Sequence, residues 1–144
     1  MNVHAILQNK GKSVVTIHPD ATVGRAVDVL QLRGIGALVV SDDGATVVGI
    51  LSERDVVEAL GRYGGDLLTV PVSEIMTCPV VTCDPGDSVA ELMAEMTNRR
   101  IRHFPVVDGD RLIGIVSIGD LVKSRLDEIE YEAHSMRSFI AGAA

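Results

Sequence analysis

The sequence predicts a mixed α/β (α+β) fold, in which two similar βαββα-type halves pack as a pseudo-twofold pair and a helical extension follows. The first observation is an internal repeat: residues 14–60 align with residues 80–126 at an offset of 66, which becomes 65 after one turn. A repeat fixes the architecture before any propensity argument is needed. The second observation is size, because one half of about 50–60 residues is marginal alone and must share a core. The third is composition: 47% of the residues are hydrophobic but only 3% are aromatic, so aliphatic side chains fill the core, which favours sheets covered by helices.

The first half is predicted to contain a short helix or turn, a strand, a helix, two strands joined by a tight turn, and a second helix. The first strand is rich in β-branched residues, and the two later strands form an antiparallel hairpin. The first full helix is indicated by apolar residues at helical spacing, namely Val23, Ala26, Val27 and Leu30. The predicted bounds are residues 3–8 for the short helix or turn, 13–17, 36–40 and 47–51 for the strands, and 52–60 for the second helix.

The second half repeats this order after a predicted linker at residues 62–71, which contains two adjacent glycines. Residues 72–76 then take the role of the short helix that leads into the first half. Ser88 and Glu91 have the spacing of a capping box, in which each residue satisfies a backbone N–H of the other at the start of a helix. The predicted domain bounds are residues 1–66 for the first repeat, 67–127 for the second and 128–144 for the helical extension.

The last segment is predicted to be one long helix, because no Pro or Gly occurs between Asp120 and Gly142. Its apolar residues follow a 4-3-4-3-4 spacing, which is the a/d seam of a coiled coil. We call these residues the tail seam: Val122, Leu126, Ile129, Ala133, Met136 and Ile140. Either the seam packs on its own repeat, or it pairs with a second chain. The seam extends well beyond the small repeat, which favours pairing, and we therefore expect a homodimer.

Composition excludes several classes of function. A net charge of −7 and a pI near 4.9 oppose nonspecific nucleic-acid binding, so no nucleic-acid partner is expected. No apolar run approaches the ~20 residues of a membrane span, and no secretory signal is visible, so we expect no membrane partner and a cytoplasmic location. The two cysteines, Cys78 and Cys83, form neither a redox pair nor a zinc quartet, and the four histidines share no metal spacing.

Two polar pairs survive in both copies, Ser52 with Asp55 and Ser117 with Asp120, each in the pattern G-x-x-S-x-x-D. The simplest explanation is a helix cap, although Glu or Gln is the usual partner at the fourth position. The functional explanation is a nucleotide site. A helix N-terminus that follows a strand binds anions through its free N–H groups, and a carboxylate one turn later can accept the vicinal hydroxyls of a ribose.

These motifs resemble the cystathionine β-synthase (CBS) domain. The resemblance rests on V-V-T with a following Pro, on G-A-L-V-V and H-F-P-V-V-D, on G-I-h-S-x-x-D (h, any apolar residue) in both halves, and on the lead-in V-S-E-I-M-T at residues 72–77. It covers roughly residues 1–127. A tandem pair of such domains, a Bateman module, implies a regulatory protein that binds adenosine compounds in two clefts between its halves. Such compounds include AMP, ADP, ATP, S-adenosylmethionine and, in some members, NADH.

The resemblance also implies roles for individual residues. Asp120 and Asp55 match the ribose carboxylates of the two clefts, and Ser117 and Ser52 match the hydroxyls beside ribose and phosphate. Short strand segments contact adenine in such clefts: Ser13, Val14, Ile35, Gly36 and Ala37 in the Asp120 cleft, and Val80, Val81 and Ile101 in the Asp55 cleft. Arg102 and His103 match phosphate contacts, and Lys12 is a weaker candidate for the same role. The alternatives are a solvated surface charge for Arg102 and a packing residue for His103.

The expected function is therefore an adenine-nucleotide sensor of cellular energy or redox state. Gly36 and Ala37 leave room for an adenine beside Arg102 and His103, so we expect AMP in the Asp120 cleft first. A second AMP or NADH is then expected in the Asp55 cleft. No nucleophile with a base and an orienting group is visible, so no catalytic residue and no catalytic cofactor are expected. The alternative is a structural domain for dimerisation or partner binding, without a physiological nucleotide.

Overall fold

The computed structural model describes residues 1–11 and 13–143, and it confirms the predicted fold class. Helix α1 (Val3–Lys10) precedes strand β1 (Thr16–Ile17), helix α2 (Val23–Arg33), strands β2 (Ala37–Val40) and β3 (Gly49–Ser52), and helix α3 (Glu53–Tyr63). Two short 3₁₀ helices, Gly64–Thr69 and Val72–Glu74, connect the halves. Helix α4 (Val89–Arg99), strands β4 (His103–Asp108) and β5 (Arg111–Ser117), and the long helix α5 (Ile118–Ala143) complete the second half.

Each half contains one small sheet. In the first half, β1 pairs with β2 in parallel and β2 pairs with β3 in antiparallel orientation, with Ala37 opposite Ser52. In the second half, β4 and β5 form an antiparallel hairpin with His103 opposite Ser117. The equivalent of β1 is reduced there to a single parallel bridge between Cys83 and Val106. In both halves, the hairpin therefore ends at the serine of a Ser-x-x-Asp motif, and this serine immediately precedes a helix.

The two halves exchange their lead-in segments, which the sequence analysis did not predict. Val3, Ile6 and Leu7 of α1 belong to the core of the second half, together with Val89, Phe104 and Val116. In the mirror arrangement, Val72 and Ile75 belong to the core of the first half, together with Val23, Leu38 and Leu51. Backbone hydrogen bonds support both exchanges, from Val3 N to Asp87 O at 3.1 Å and from Val72 N to Ala21 O at 2.8 Å. Neither half completes its core without the other's lead-in.

A glycine beneath each exchanged lead-in makes this close packing possible. A Cβ atom on Gly114 would lie 2.6 Å from Cδ2 of Leu7, which real Cβ atoms do not tolerate. Its counterpart Gly49 lies equally close under the Met76 side chain. These two glycines occupy the same position in the two repeats, so the repeated residue reflects packing of the lead-in segment.

Two local predictions need correction. Residues 62–71 are not a simple linker, because the 3₁₀ helix Gly64–Thr69 places Leu67 in the core with 1% of its surface exposed. The capping box at α4 is only half formed: the Ser88 hydroxyl accepts from Glu91 N at 3.1 Å, and the described residues show no return bond. Glu91 is exposed, so water can solvate its carboxylate in place of the return bond.

Helix α5 extends beyond its own repeat. Leu121 and Ser124 at its start are buried against the repeat, whereas the tail seam faces outward, with Leu126 55% and Ile140 62% exposed. Packing of the seam on its own repeat is therefore not what the structure shows. Among residues 1–11 and 13–143, no helix is both long and apolar enough to cross a membrane.

Candidate functional site

A cavity of about 480 Å³ lies where the first Ser-x-x-Asp motif faces the end of α4 and the start of β4. We call it the Asp55 cavity. Its walls come from both halves of the chain, and 7 of its 13 lining residues are charged at neutral pH, of both signs. The lining residues are Gly36, Ile50, Ser52, Glu53, Arg54, Asp55, Glu58, Thr77, Arg99, Arg100, Ile101, Arg102 and His103. The cavity therefore presents a polar, strongly charged surface between two apolar cores.

Both Ser-x-x-Asp motifs form complete helix caps. At α3, the Asp55 carboxylate accepts from Ser52 N at 2.9 Å, and the Ser52 hydroxyl accepts from Asp55 N at 3.3 Å. At α5, Ser117 and Asp120 exchange the same two bonds at 2.9 and 3.1 Å. The cap interpretation is thus realised in both copies. It occupies one oxygen of each carboxylate and does not exclude a ligand at the other.

The second oxygen of Asp55 is directed toward the lead-in of the second half. Asp55 Oδ1 accepts a hydrogen bond from the Thr77 hydroxyl at 3.0 Å, and both residues line the cavity. A carboxylate oxygen carries two lone pairs, so Oδ1 retains one acceptor position beside the Thr77 bond. Asp55 can therefore cap α3 and accept a further donor in the cavity at the same time.

Four arginines converge on the cavity: Arg54, Arg99, Arg100 and Arg102. Arg99 is paired with Glu95 at 2.6 Å, whereas the other three make no ion pair within the described part of the chain. A second cavity of about 310 Å³ shares Arg54, Arg100, Ile101 and Arg102 with the first, so the basic surface extends between them. Unpaired guanidinium groups that share one cavity suit a phosphate, which they bind bidentately.

Arg100 adopts a backbone conformation that a side chain makes costly. It ends α4 with φ 56° and ψ 41°, in the left-handed region, where the equivalent residue of the first repeat is Gly34 with φ 62° and ψ 39°. A non-glycine residue in this region costs about 1–2 kcal/mol. Glycine is the usual solution for this helix end, so an arginine here points to a role for its side chain.

His103 lies between the two motifs rather than at the edge of one. Its ring and the Glu53 carboxylate both come within 3.3 Å of the position that a Cβ on Gly36 would take. Burial first, and then the charge of Lys10, lower the pKa of His103, although Glu53 and Asp120 oppose this shift. His103 is therefore mainly neutral at pH 7 and presents one donor and one acceptor nitrogen.

Asp120 is engaged by a lysine from the exchanged lead-in. Lys10 Nζ donates to Asp120 Oδ2 at 2.7 Å and to the Ile115 carbonyl at 2.9 Å. Burial acts to raise the pKa of Asp120, but the hydrogen bonds from Lys10 and Ser117 outweigh it and lower the pKa. The ribose position expected at Asp120 thus already holds an ammonium group.

The structure assembles only part of the predicted site. Six of the predicted residues line the Asp55 cavity: Gly36, Ser52, Asp55, Ile101, Arg102 and His103. Neither described cavity is lined by Ser13, Val14, Ile35, Ala37, Val80, Val81, Ser117 or Asp120. The expected opening is formed only in part: Gly36 lines the Asp55 cavity and not a cleft at Asp120, His103 and Glu53 lie close beside it, and Ala37 is 4% exposed. Lys12 lies outside the described residues.

Sequence reasoning missed seven lining residues: Ile50, Glu53, Arg54, Glu58, Thr77, Arg99 and Arg100. One of them carried a usable signal, since Arg100 replaces the helix-ending Gly34 when the repeats are aligned. Glu53, Arg54 and Glu58 are not repeated in the second copy, where Ile118, Gly119 and Lys123 take their positions. Thr77 enters only because the lead-in of the second half pairs with β3, through an isolated bridge between Thr77 and Ile50.

The described residues contain no cluster of His, Cys, Asp and Glu that could hold a metal ion. Cys78 is an exposed thiol and Cys83 a buried one. Burial, followed by the charges of Asp87 and Asp84, raises the pKa of Cys83 to about 12, so this thiol stays protonated at neutral pH. Cys83 packs in the core of the second half.

Comparison with known proteins identifies relatives over nearly the whole chain. The model of the CBS-domain family matches residues 11–62 and 72–127. An uncharacterized 33.4 kDa protein of Thermofilum pendens is 37% identical over 146 residues, which is 96% of this chain but only 48% of that protein. The chain therefore spans about half the length of that relative.

Two solved structures are similar to this fold. The CBS-domain containing protein ATU1752 of Agrobacterium tumefaciens is 44% identical, with a TM-score of 0.84, covering 87% of this chain and 99% of that one. The CBS domain pair of MJ0100, solved with 5′-methylthioadenosine and S-adenosyl-L-methionine, is 30% identical, with a TM-score of 0.75, covering 90% of this chain and 98% of that one.

Proposed function

Because this chain belongs to the CBS-domain family and carries two such domains in tandem, we propose that it is a regulatory module that binds an adenine nucleotide without catalysing a reaction. AMP is the preferred ligand, and NADH or ATP are further candidates. Ligand occupancy would then report the energy or redox state of the cell. The observation that carries this proposal is the Asp55 cavity, where a ribose acceptor and unpaired guanidinium groups share one space.

The proposed pose follows from the acceptors and donors of the cavity. The ribose 2′-hydroxyl donates to Asp55 Oδ1, which keeps one lone pair beside the Thr77 bond. The phosphate is directed to Arg100 and Arg102, and Ile50 and Ile101 supply apolar surface for the adenine. The adenosine ligands in the structure of MJ0100 support this ligand class.

We propose that the Asp55 cavity fills first, which reverses the order expected from sequence. Arg102 and His103 line this cavity, whereas Asp120 is neutralised by Lys10 at 2.7 Å. A ligand at Asp120 has to displace that ammonium group or share the carboxylate with it. The Asp120 site is therefore the weaker of the two.

Replacing Arg100 by glycine is expected to separate phosphate recognition from stability. The variant Arg100→Gly loses a guanidinium donor, so AMP should bind at least about tenfold more weakly, because a hydrogen bond to a charged group contributes about 1.5–3 kcal/mol. Glycine also relieves the left-handed backbone, so the free energy of unfolding should stay equal or rise by up to about 1 kcal/mol. Calorimetry with AMP and adenosine, together with chemical denaturation, measures both effects.

Adenosine is the matched control, because it lacks the phosphate and should lose little affinity in the variant. Equal losses for AMP and adenosine would show that Arg100 does not contact a phosphate. A marked loss of stability would mean that the arginine side chain holds the fold together at this position.

The alternative function is a structural dimerisation or partner-binding domain without a physiological nucleotide. The specific observation in its favour is the exposed tail seam on α5, with Leu126 55% and Ile140 62% exposed. Burial of such a seam between two copies would stabilise an oligomer by removing apolar surface from water. We propose a homodimer in either case, because pairing and nucleotide binding use different surfaces. A cytoplasmic location remains part of the proposal.

A further inference from the structure

The tail seam lies on a different face of α5 from the face that packs against the repeat. Leu121 is fully buried and Ser124 is 8% exposed, so the repeat covers the helix face that these residues share. Val122 and Leu126, at 38% and 55% exposed, lie on a face turned about 150° away at 100° per residue. The seam is thus presented outward from its first residue, and its remaining layers extend past the CBS match, which ends at residue 127.

The spacing of the seam assigns each tail residue to a heptad position. Leu126, Ala133 and Ile140 take the a positions, and Val122, Ile129 and Met136 take the d positions. The flanking g positions hold Arg125, Glu132 and Phe139, and the flanking e positions hold Lys123, Glu130 and Arg137. Charges at e and g face the partner helix across the core, and they set the orientation of the strands.

We propose that the tails of two copies pair as a parallel, in-register coiled coil. In this arrangement a g residue faces the e residue five positions later on its partner. Arg125 then faces Glu130 of the other copy, and Glu132 faces Arg137 of the other copy. Symmetry doubles both contacts, so four contacts join opposite charges and none joins like charges. All six residues of the tail seam are then buried against the partner helix.

Antiparallel pairings of the two tails are less favourable than the parallel pairing in their charge contacts or in the apolar surface that they bury. Aligning the whole seam antiparallel pairs Val122 with Ile140 and brings Glu130 against Glu130 and Glu132 against Glu132. Sliding the helices by seven residues restores opposite charges, but Met136 and Ile140 then lose their partners. Every antiparallel register therefore either repels or leaves apolar surface in water.

One intrahelical contact competes weakly with this pairing. Arg125 donates to Glu128 of its own helix at 3.1 Å. Exposed pairs of this kind contribute about 0–1 kcal/mol, and the guanidinium can exchange partners. The inference rests on the homodimer proposed above and adds the direction and register of the strands, which nucleotide binding does not require.

Disulfide cross-linking tests the direction of the strands. The variant Ile140→Cys is made with Cys78→Ser, which removes the exposed native thiol and leaves Cys83 buried. In the parallel coil residue 140 meets its own copy, so mild oxidation should produce a covalent dimer. In the full antiparallel pairing the two thiols are 18 residues apart (140 − 122), about 27 Å at 1.5 Å per residue, and cannot join.

Ser138→Cys on the same background is the matched control, because position 138 lies on the outer f face and should not cross-link at the same rate. Equal rates at 138 and 140 overturn the proposal. The proposal is also overturned if Val122→Cys chains cross-link to Ile140→Cys chains in higher yield than Ile140→Cys chains cross-link to each other.

Charge reversal tests the register. Glu132→Arg should weaken self-association by about tenfold, because it removes two attractive contacts and adds two repulsive ones. Adding Arg137→Glu should restore it, and Asp127→Arg, the same charge change at an outer b position, should leave it unchanged. Sedimentation of the whole chain measures all three.

The unmodified chain should sediment as two copies, because each tail covers the seam of one partner. A monomeric mass overturns both pairing and register. Lost association in Asp127→Arg, or no rescue in the double variant, overturns the register alone. AMP titration of the same variants reports the nucleotide proposal separately, because the tail lies outside the cavity.

Discussion

Asp55→Ala should weaken AMP binding by at least about tenfold, which corresponds to 1.4 kcal/mol. The carboxylate is proposed to accept the ribose 2′-hydroxyl, and a hydrogen bond to a charged group contributes about 1.5–3 kcal/mol. The variant also removes the Thr77 bond at 3.0 Å and two bonds from Ser52, one from its N–H at 2.9 Å and one from its hydroxyl at 3.1 Å, so the cavity wall loses three internal contacts. Titration calorimetry with AMP measures the loss.

Removing a different helix cap tests whether the loss of AMP affinity comes only from weakening of a helix. Ser88 caps α4 through Glu91 N at 3.1 Å, and neither residue lines the Asp55 cavity. Ser88→Ala should therefore cost about 1 kcal/mol of stability, as typical cap deletions do, and leave AMP affinity unchanged. If Ser88→Ala and Asp55→Ala reduce AMP affinity equally, Asp55 acts on the ligand only through the stability of the fold.

Gly114→Val should lower the free energy of unfolding by about 3 kcal/mol, the upper end of the usual range for overpacking a core. The new Cβ alone would lie 2.6 Å from Leu7 Cδ2, and Leu7 is itself 2% exposed within the core of the second half. Valine favours strands, but that preference contributes less than the displaced helix α1 costs. Chemical denaturation gives the change directly.

Gly61→Ala is the matched control for Gly114→Val. Gly61 lies inside α3, and nothing comes within 4 Å of its added Cβ. This substitution should raise stability by about 0.5–1 kcal/mol through helix propensity. A change smaller than about 0.5 kcal/mol in Gly114→Val, within the range of surface substitutions, would show that α1 does not depend on this contact.

The repeat predicted most of the fold because helices and strands are local and the two copies confirm each other. Val23, Ala26 and Leu30 follow the helical period, and all three are buried in α2. The exchange of lead-in segments could not be predicted in the same way. Leu7 and Met76 are both apolar, and this property does not indicate which half each one packs against. Only the three-dimensional path of the chain decides which glycine each one covers.

The candidate site was predicted where the signal was repeated and missed where it was not. Ser52 and Asp55 stand out because the second copy has the same residues. The pairing of Lys10 with Asp120 depends on the exchanged helix α1, which brings residues 110 positions apart into contact. His103 from the other half lies close beside Gly36, a contact that no local pattern encodes.

Titration calorimetry of the unmodified protein with AMP and with 2′-deoxy-AMP tests the nucleotide proposal most directly. AMP should bind saturably, and 2′-deoxy-AMP should bind more weakly, because Asp55 Oδ1 then loses its ribose donor, worth about 1.5–3 kcal/mol. Absence of AMP binding, or equal affinity for the two nucleotides, would contradict ribose recognition and leave Ser-x-x-Asp as a helix cap alone.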